Sequence, residues 1–397
     1  TMIRNSITLF QKCGSKSLTK FSNVQSFRNL YSQAFLGIDN YVKNRERVHS
    51  QFINMLETFK TKMTEFVDHS SRNMIFTEDL KNMVHLVEPN SDDVVLVVKM
   101  MTKFNKQNKD LRFGSFVFGP VVMRMFYYLD DPDNALECFL NPDLTGFFDQ
   151  IASYQILMDL LLEHDRHEDI LKVYEVVKNH QLHGMRYPKN VIVLLYASCY
   201  KKNTPESLKY ASDLWGELMS VGHLPMRRTA TFLAGLALNQ NKPNIALEII
   251  ANTKQQNYMT VRNLKALALA ELGRIEEVLL ILRSVINTDA TVDKKGTFAR
   301  DSIEKIHSII KSTNNKDFLS EFTSIEKYLA ENGHYTDDSL HNLLCSEISL
   351  QQNAGKTNMY QHNVKMQSYY NKGNFSNYNQ QSNKLNRSTR PGISEMY

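Results

Sequence analysis

The stretch YQILMDLLLEHDRHEDILKVYEVVKN, from Tyr154 to Asn179, decides the fold. Its first half repeats apolar residues at helical spacing, at Tyr154, Leu157, Met158, Leu161 and Leu162. A polar break of five residues follows, and the helical spacing then resumes at Ile170, Val173, Tyr174 and Val177. Each half predicts an amphipathic helix that cannot bury its apolar stripe alone. The stretch therefore predicts two helices that pack on each other and on neighbouring pairs.

The pattern of the second helix recurs along the chain. Its first apolar position is occupied successively by Ala135, Ile170, Ala211, Ala246 and Val278, at spacings of 35, 41, 35 and 32 residues. A repeat near 35 residues built from helix pairs is typical of an α-solenoid, in which each unit contacts only its neighbours. The sequence therefore predicts an all-α solenoid of helix-turn-helix repeats.

The unit at Tyr154–Asn179 closely resembles a pentatricopeptide repeat, and the units anchored at 211, 246 and 278 are similar to it. The Trp and Gly-Tyr pair typical of tetratricopeptide first helices is missing. Further stretches also resemble members of the pentatricopeptide repeat family: Phe116–Pro120, Gly146–Phe148, Asn203–Ser207, Ala237–Asn241 and Thr336–Leu340. The resemblance covers roughly residues 40–350 and implies a right-handed solenoid. It also implies a protein of the mitochondrial matrix that acts in maturation of mitochondrial RNA and so supports respiratory-chain biogenesis.

Charge is distributed unevenly over the 397 residues. Residues 1–38 carry five basic and no acidic residues, and residues 351–397 carry six basic residues and one acid. The segment between them has 36 basic and 41 acidic residues, so its net charge is −5. The basic isoelectric point therefore belongs to the flanks and gives no simple electrostatic argument that the repeats bind nucleic acid.

The N-terminal residues 1–32 have the composition of a mitochondrial transit peptide, with spaced Lys and Arg, many Ser, Asn and Gln, and no acid. The segment Arg28–Ser32 resembles a matrix-processing site, so we expect cleavage near Tyr31. The alternative is a disordered basic arm. No apolar run approaches the length of a membrane span, so we expect no such span.

Four further regions follow the leader. Residues 39–72 are predicted to form an N-terminal helix, with one long helix from Tyr41 to Val67. The repeat array is predicted at 73–290 and a helical C-terminal cap at 291–350. Within the cap, Asp337 and Asp338 are expected at a helix N-cap. Residues 351–397 contain 15 Asn or Gln and few branched apolar residues, which predicts a disordered tail.

The family resemblance also implies positions that read RNA bases. In such arrays a polar side chain early in each first helix contacts one base, helped by the residue just ahead of the next unit. The corresponding residues are Gln155, Leu195, Thr231 and Asn263, with Asn190, Met226, Tyr258 and Asp293 as the respective partners. Asn263 with Asp293 resembles a uridine-favouring pair, whereas the pairs of Leu195 and Thr231 resemble no coding pair. Base-specific recognition is therefore expected to be poor.

Contact with phosphates is the better-supported alternative. Five basic residues cluster near the starts of first helices: Lys189, Arg227, Arg228, Arg262 and Lys265. Each cation that pairs with a phosphate adds salt-dependent affinity. Tyr154 and Tyr258 are candidates for base stacking, although a core position is the favoured interpretation of Tyr154.

These observations favour a non-enzymatic, RNA-binding factor for maturation, processing or stability of mitochondrial transcripts. The expected partners are mitochondrial RNA and RNA-processing or ribosomal proteins. The alternative is a protein-binding scaffold, such as a component or assembly factor of the small mitochondrial ribosomal subunit. Phosphate loops, nucleophile elbows and metalloprotease motifs are missing, so no catalytic residue, cofactor or metal site is predicted.

Overall fold

The computed structural model describes residues 30–68, 73–89, 91–107, 116–286 and 297–349. Residues 1–29 of the predicted leader, the predicted tail at 351–397, and Asp293 lie outside these ranges.

The described chain is an all-α repeat solenoid. An N-terminal group precedes the repeats and consists of α1 (Gln33–Leu36), α2 (Ile38–Phe52) and α3 (Leu56–Val67). Seven helix pairs follow in the described ranges: α4 (Thr77–Leu86) with α5 (Ser91–Lys106), α6 (Gly119–Leu129) with α7 (Pro132–Leu140), α8 (Ile151–Glu163) with α9 (His167–His180), α10 (Lys189–Lys202) with α11 (Pro205–Ser220), α12 (Arg227–Asn239) with α13 (Pro243–Ala251), α14 (Met259–Glu271) with α15 (Ile275–Ile286), and α16 (Arg300–Ser312) with α17 (Lys316–Glu331). Short 3₁₀ turns lie at Pro142–Leu144 and Leu182–Gly184.

The C-terminal part adds one small sheet and a last helix. Strand β1 (Phe298–Ala299) pairs in parallel with β2 (Tyr335–Thr336), and the short helix α18 (Leu340–Leu344) follows. Ser339, rather than the predicted Asp337 or Asp338, caps α18, because its Oγ accepts a hydrogen bond from the Asn342 N–H at 3.1 Å. No described helix is both long and apolar enough to cross a membrane.

Six of the seven described pairs have a residue in the left-handed region of backbone conformation in the turn between their helices. Six successive turns from the α6–α7 pair to the α16–α17 pair contain such a residue: Asp130, Asp165, Asn203, Asn241, Gly273 and Asn314. Asp, Asn and Gly tolerate positive φ better than other residues, so they can end a helix with little backbone strain. This turn chemistry repeats with the helix pairs and fixes the hairpin geometry of each.

The first helices of successive pairs pack side by side and form the inner layer of the solenoid. In α8, α10 and α12 a run of ten residues is buried without interruption: 153–162, 191–200 and 229–238. A helix that is buried all round must be covered on every side. The second helices cover only the outer side, so another part of the chain must cover the inner, concave side.

The N-terminal region departs from its prediction in two ways. The single helix expected from Tyr41 to Val67 is divided at residues 53–55, so α2 and α3 pack on α4 and α5 separately. In addition, Leu30, Tyr31 and Ser32, which the prediction assigned to the leader, are buried parts of the fold. Tyr31 stacks on Phe35 with 4.8 Å between ring centroids. A boundary at residue 32 would therefore remove core side chains.

Candidate nucleic-acid interface

The positions predicted to read bases lie inside the protein. Gln155 is 7% exposed, and its Oε1 accepts a hydrogen bond of 3.2 Å from Nδ2 of Asn190, its predicted partner. Thr231 is 1% exposed and donates its hydroxyl to the Arg228 carbonyl at 3.0 Å. Leu195 is fully buried. The structure brings Gln155 and Asn190 together as predicted, but their side chains are bonded to each other.

Asn263 is also fully buried, and its amide is occupied by backbone groups. Its Oδ1 accepts from the Ala299 N–H at 3.0 Å, and its Nδ2 donates to the carbonyls of Met259 and Thr297 at 2.7 and 3.3 Å. These bonds connect α14 to strand β1. An amide early in a first helix can bond a strand edge as well as a base edge, and in this structure its partners are backbone groups.

Arg228 is committed to the C-terminal segment. Its guanidinium donates to the carbonyls of Leu343, Leu344 and Ser346, and also to Ser346 Oγ. No local pattern predicts this contact, because the partners lie more than 110 residues away along the chain. Arg228 was predicted to contact phosphate, and in this structure carbonyl oxygens occupy its donors.

Four of the five predicted cations remain at the edge where first helices begin: Lys189, Arg227, Arg262 and Lys265. None of them forms an ion pair with a carboxylate in the described ranges. Lys265 Nζ contacts Gln256 Oε1 at 3.5 Å, in the loop before α14, and Arg262 lies against the Phe298 ring. Lys189 is exposed.

Acidic residues are missing from the helix starts in the middle of this edge. The first turns of α8, α10, α12 and α14 contain no Asp or Glu, whereas those of the outer first helices α4 and α16 and of the second helices α9, α11 and α15 do. Acids are the favoured residues at a helix N-terminus, because the helix dipole is positive there. Four aligned helix N-termini without acids, combined with four unpaired cations, make this edge attractive to anions.

Arg227 and Tyr258 form a stacked pair at the centre of the edge. The guanidinium carbon lies 3.2 Å from the centroid of the Tyr258 ring, and the tyrosine is 45% exposed. Burial lowers the pKa of Arg227 from its ordinary value, and the tyrosine opposes that effect. A guanidinium held flat on an exposed ring can contact phosphate while offering a planar surface for a base.

A buried acidic cluster lies beside Tyr31 and was not anticipated from the sequence. The Tyr127 hydroxyl bonds to Asp159 Oδ2 at 3.2 Å and to Glu163 Oε1, while Asp159 Oδ1 has no hydrogen-bond partner. Burial, reinforced by the charge of Glu163, raises the pKa of Asp159 well above its usual range. The Tyr127 hydrogen bond and the Tyr31 backbone oppose this rise. Burial therefore favours the protonated form of Asp159.

Replacing this acid by its neutral isostere is expected to stabilise the fold. Above the ordinary Asp pKa of 3.8 the unfolded chain releases a proton that the native Asp159 retains, so stability falls as pH rises towards the raised native pKa. Asp159→Asn removes this loss, and we expect its free energy of unfolding to exceed that of the wild type by about 1–2 kcal/mol at neutral pH.

Urea unfolding measured across the acidic-to-neutral range tests this expectation. The matched control is Asp213→Asn on α11, an exposed carboxylate without an ion pair in the described chain, which is expected to change stability by less than about 0.5 kcal/mol. A variant D159N less stable than the wild type at neutral pH would show that Asp159 is ionised.

Comparison with known proteins places this architecture in a family. No family model matches the chain. A curated mouse protein, "Pentatricopeptide repeat-containing protein 2, mitochondrial", is 30% identical over 321 residues, which cover 80% of this chain and 83% of the relative. The chain belongs to the pentatricopeptide repeat-containing protein 2 family. Relatives with the same name in human and zebrafish are 28% and 25% identical, over 80% and 79% of this chain.

Family membership agrees with the helix pairs and supports a mitochondrial location, because the relatives are named as mitochondrial. Within the described ranges, no group of three or more His, Cys, Asp or Glu side chains is placed to hold a metal ion. The two histidines near the turn between α8 and α9 do not share a site. His164 Nε2 lies 2.7 Å from Asp130 Oδ1, and His167 Nδ1 lies 3.0 Å from Ser198 Oγ. The cationic edge is thus the feature of this family member that best fits a ligand.

Proposed function

We propose that this protein is a non-enzymatic RNA-binding factor of the mitochondrial matrix that acts in maturation, processing or stability of transcripts. It holds single-stranded RNA by the phosphate backbone, and through that role supports respiratory-chain biogenesis. The observation that carries the proposal is the set of four unpaired cations at the acid-free edge of first helices: Lys189, Arg227, Arg262 and Lys265.

Contact with the RNA phosphate backbone is proposed because of which side chains are accessible to solvent. The side chains that would read bases are buried, whereas the cations at the edge and the Tyr258 ring are at least partly exposed. Phosphates are common to every sequence, so such a surface gives affinity without strong sequence preference. The charge distribution supports this division, because the segment 39–350 is acidic overall, yet this edge carries four cations that have no ion pair in the described ranges.

Salt dependence of binding tests the proposal. We expect the affinity for an oligouridylate of about 20 nucleotides to fall with salt, with a slope of log K against log salt near −3, since each phosphate contact contributes about −0.7 for single strands. Changing all four cations to Gln is expected to bring the slope close to zero. Fluorescence anisotropy at several salt concentrations measures both values.

A matched control removes the same charge elsewhere. Lys43, Lys209, Lys311 and Lys316 are exposed, have no ion pair in the described chain, and lie away from the edge of first helices. Their joint change to Gln is expected to leave the slope within about 0.7 of the wild type, the contribution of one contact. Equal losses in both quadruple variants would contradict a specific edge and indicate only a net-charge effect.

A protein-binding scaffold is the second candidate. The specific observation in its favour is that the concave face, where base reading would occur, is filled by other parts of the same chain. Such a protein would join the small mitochondrial ribosomal subunit, as a component or assembly factor, through protein contacts. The scaffold would be favoured by two results together. The protein would have no affinity for RNA, and it would still co-sediment with that subunit after RNase treatment.

A further inference from the structure

The two ends of the described chain meet and pair on the inner layer of first helices. The Ser32 N–H donates to the Ile348 carbonyl at 3.1 Å, and the Ile348 N–H donates to the Leu30 carbonyl at 2.8 Å. Tyr31 and Ile348 thereby form a parallel bridge. We call residues 30–36 and 340–349 together the clasp. Its two halves are separated by more than 300 residues of chain, so they join the ends of the solenoid.

The N-terminal half of the clasp packs against α8 and α6. Helix α1 contacts α8, and Arg124 of α6 donates from Nε to the Leu36 carbonyl at 2.8 Å. Tyr31 is fully buried and lies close enough to Asp159 of α8 and Arg228 of α12 for both charges to affect the pKa of its hydroxyl. This half therefore covers the concave side from α6 towards α12.

The C-terminal half packs against α10, α12 and α14. His341 stacks on Tyr200 of α10, with ring centroids 5.6 Å apart and planes 24° apart, and shares a hydrogen bond of 3.1 Å with its hydroxyl. Leu344 is buried over Gly235 of α12, where an added Cβ would lie 3.1 Å from Leu344 Cδ1 and 3.0 Å from Tyr200 Cε2. Glycine is a poor helix former, and at this position it leaves the space that Leu344 of the clasp fills.

The clasp occupies groups that could bind single-stranded RNA. Three carbonyl oxygens on the Arg228 guanidinium stand where phosphate oxygens would bind, and the His341 ring on Tyr200 stands where a base would stack. A buried guanidinium needs such acceptors, because an unpaired buried charge is strongly unfavourable. RNA and the clasp therefore compete for the same donors and the same ring.

We infer that the clasp is an autoinhibitory device that closes the concave face and limits RNA binding to the cationic edge until residues 340–349 detach. The inference rests on the proposed function, since it concerns the regulation of RNA binding by the same array. Detachment requires only local opening, because α18 has five residues and its His341 and Asn342 are exposed. Opening frees Arg228 and Tyr200 and extends the site from the edge into the groove.

The inference is tested in the full chain with a variant that opens the clasp. Leu344→Asp places a charge at the buried contact with Gly235 and is expected to expel α18. Asn342→Asp is the matched control, because it adds the same charge to an exposed position of the same helix. Hydrogen exchange at the amides of Ser32 and Ile348 reports opening, and anisotropy with an oligouridylate of about 20 nucleotides reports affinity.

We expect Leu344→Asp to accelerate hydrogen exchange at both amides. We also expect it to bind RNA about 10-fold more tightly than Asn342→Asp, because the variant no longer has to open the clasp before it binds. In the Leu344→Asp background, Arg228→Gln is expected to weaken the salt slope by about 0.7, the contribution of one phosphate contact. This second result is specific to a freed Arg228 and would not follow from general loosening of the fold.

Other outcomes separate the inference from the proposed function. Fast exchange with RNA affinity equal to that of the wild type would overturn the inference and leave edge binding intact. Fast exchange with no RNA binding in any variant, the wild type included, would overturn both.

A milder opening variant covers the case in which Leu344→Asp does not fold. Ile348→Pro removes the N–H that bonds to Leu30, and Ser349→Pro is its control at a neighbouring exposed position. Proline cannot donate a backbone hydrogen bond, so only the first variant breaks the bridge. We expect the affinity increase to follow the first variant alone, and equal affinities with an open bridge would overturn the inference.

Discussion

Asn263→Ala is expected to lower the free energy of unfolding by about 2–4 kcal/mol, because it removes three hydrogen bonds from a fully buried site. The Ala299 N–H and the Thr297 carbonyl lose the side-chain partner that connects them to α14. Desolvated backbone groups without partners cost about 1–3 kcal/mol each. Asn263, which resembles a uridine-contacting residue in the sequence, is thus expected to stabilise the packing of α14 against the last helix pair.

Urea unfolding measures the loss, and RNA anisotropy on the folded fraction provides the second readout. Gln155→Ala is the matched control, since Gln155 occupies the corresponding position of α8 but has a single side-chain partner, Asn190, and an unbonded Nε2. We expect it to cost less than about 1 kcal/mol. If Asn263→Ala left stability unchanged and abolished RNA binding, Asn263 would be a contact residue after all.

Gly119→Ala is expected to lower the free energy of unfolding by about 2–3 kcal/mol through overpacking. A Cβ at residue 119 would lie 2.8 Å from the Phe147 carbonyl oxygen and 2.7 Å from Ser153 Oγ, and it would also collide with the Gln150 side chain. The side-chain atoms can move, but the carbonyl oxygen belongs to backbone packed beneath α6. Relief therefore requires α6 and the loop before α8 to separate.

The control for this prediction is Gly216→Ala on the exposed face of α11, where an added Cβ meets no atom within 4 Å. Alanine is the better helix former, so this variant is expected to gain about 0.5–1 kcal/mol. Thermal unfolding of both variants against the wild type measures the difference. Equal changes in thermal stability for Gly119→Ala and Gly216→Ala would show that the contact at residue 119 does not constrain packing.

Two of the stretches that resemble the family meet at Gly119. Phe116–Pro120 and Gly146–Phe148 are far apart in sequence but adjacent in space, where Phe118 stacks on Phe147 with centroids 6.0 Å apart. Further ring contacts extend the cluster through Phe104, Phe139 and Tyr154. Tyr154 is thus a core residue, one of the two roles the sequence allowed.

Local signals predicted the repeating part of the fold well. The apolar spacing of Ile170, Val173, Tyr174 and Val177 predicts one helix face, and all four side chains are buried. In the helix at 316–331, Phe318, Phe322, Ile325 and Leu329 lie at helical spacing, and the last three are buried while Phe318 is partly buried. Such predictions succeed because the residues that form one helical face lie within three or four positions of each other.

The exposure of the predicted site residues could not be predicted from local signals, because it depends on parts of the chain that are distant in sequence. Position within a first helix indicates which side chains point towards the concave face, but not what covers that face. Thr231 is buried with its hydroxyl bonded to the Arg228 carbonyl, and the Arg228 guanidinium is bonded to the Leu344 carbonyl of the clasp. The unpaired cations at the edge were within reach of sequence analysis, since their spacing follows the helix starts.

The sequence by itself determined that this protein is a stack of helix pairs, because periodicity and turn residues are encoded locally in every unit. Only the tertiary structure decided what the concave face can do. Arg228 meets Leu344 across 116 residues, and Leu30 pairs with Ile348 across almost the whole described chain. No periodic pattern encodes such contacts, since they depend on where the accumulated rotation of the solenoid brings its two ends.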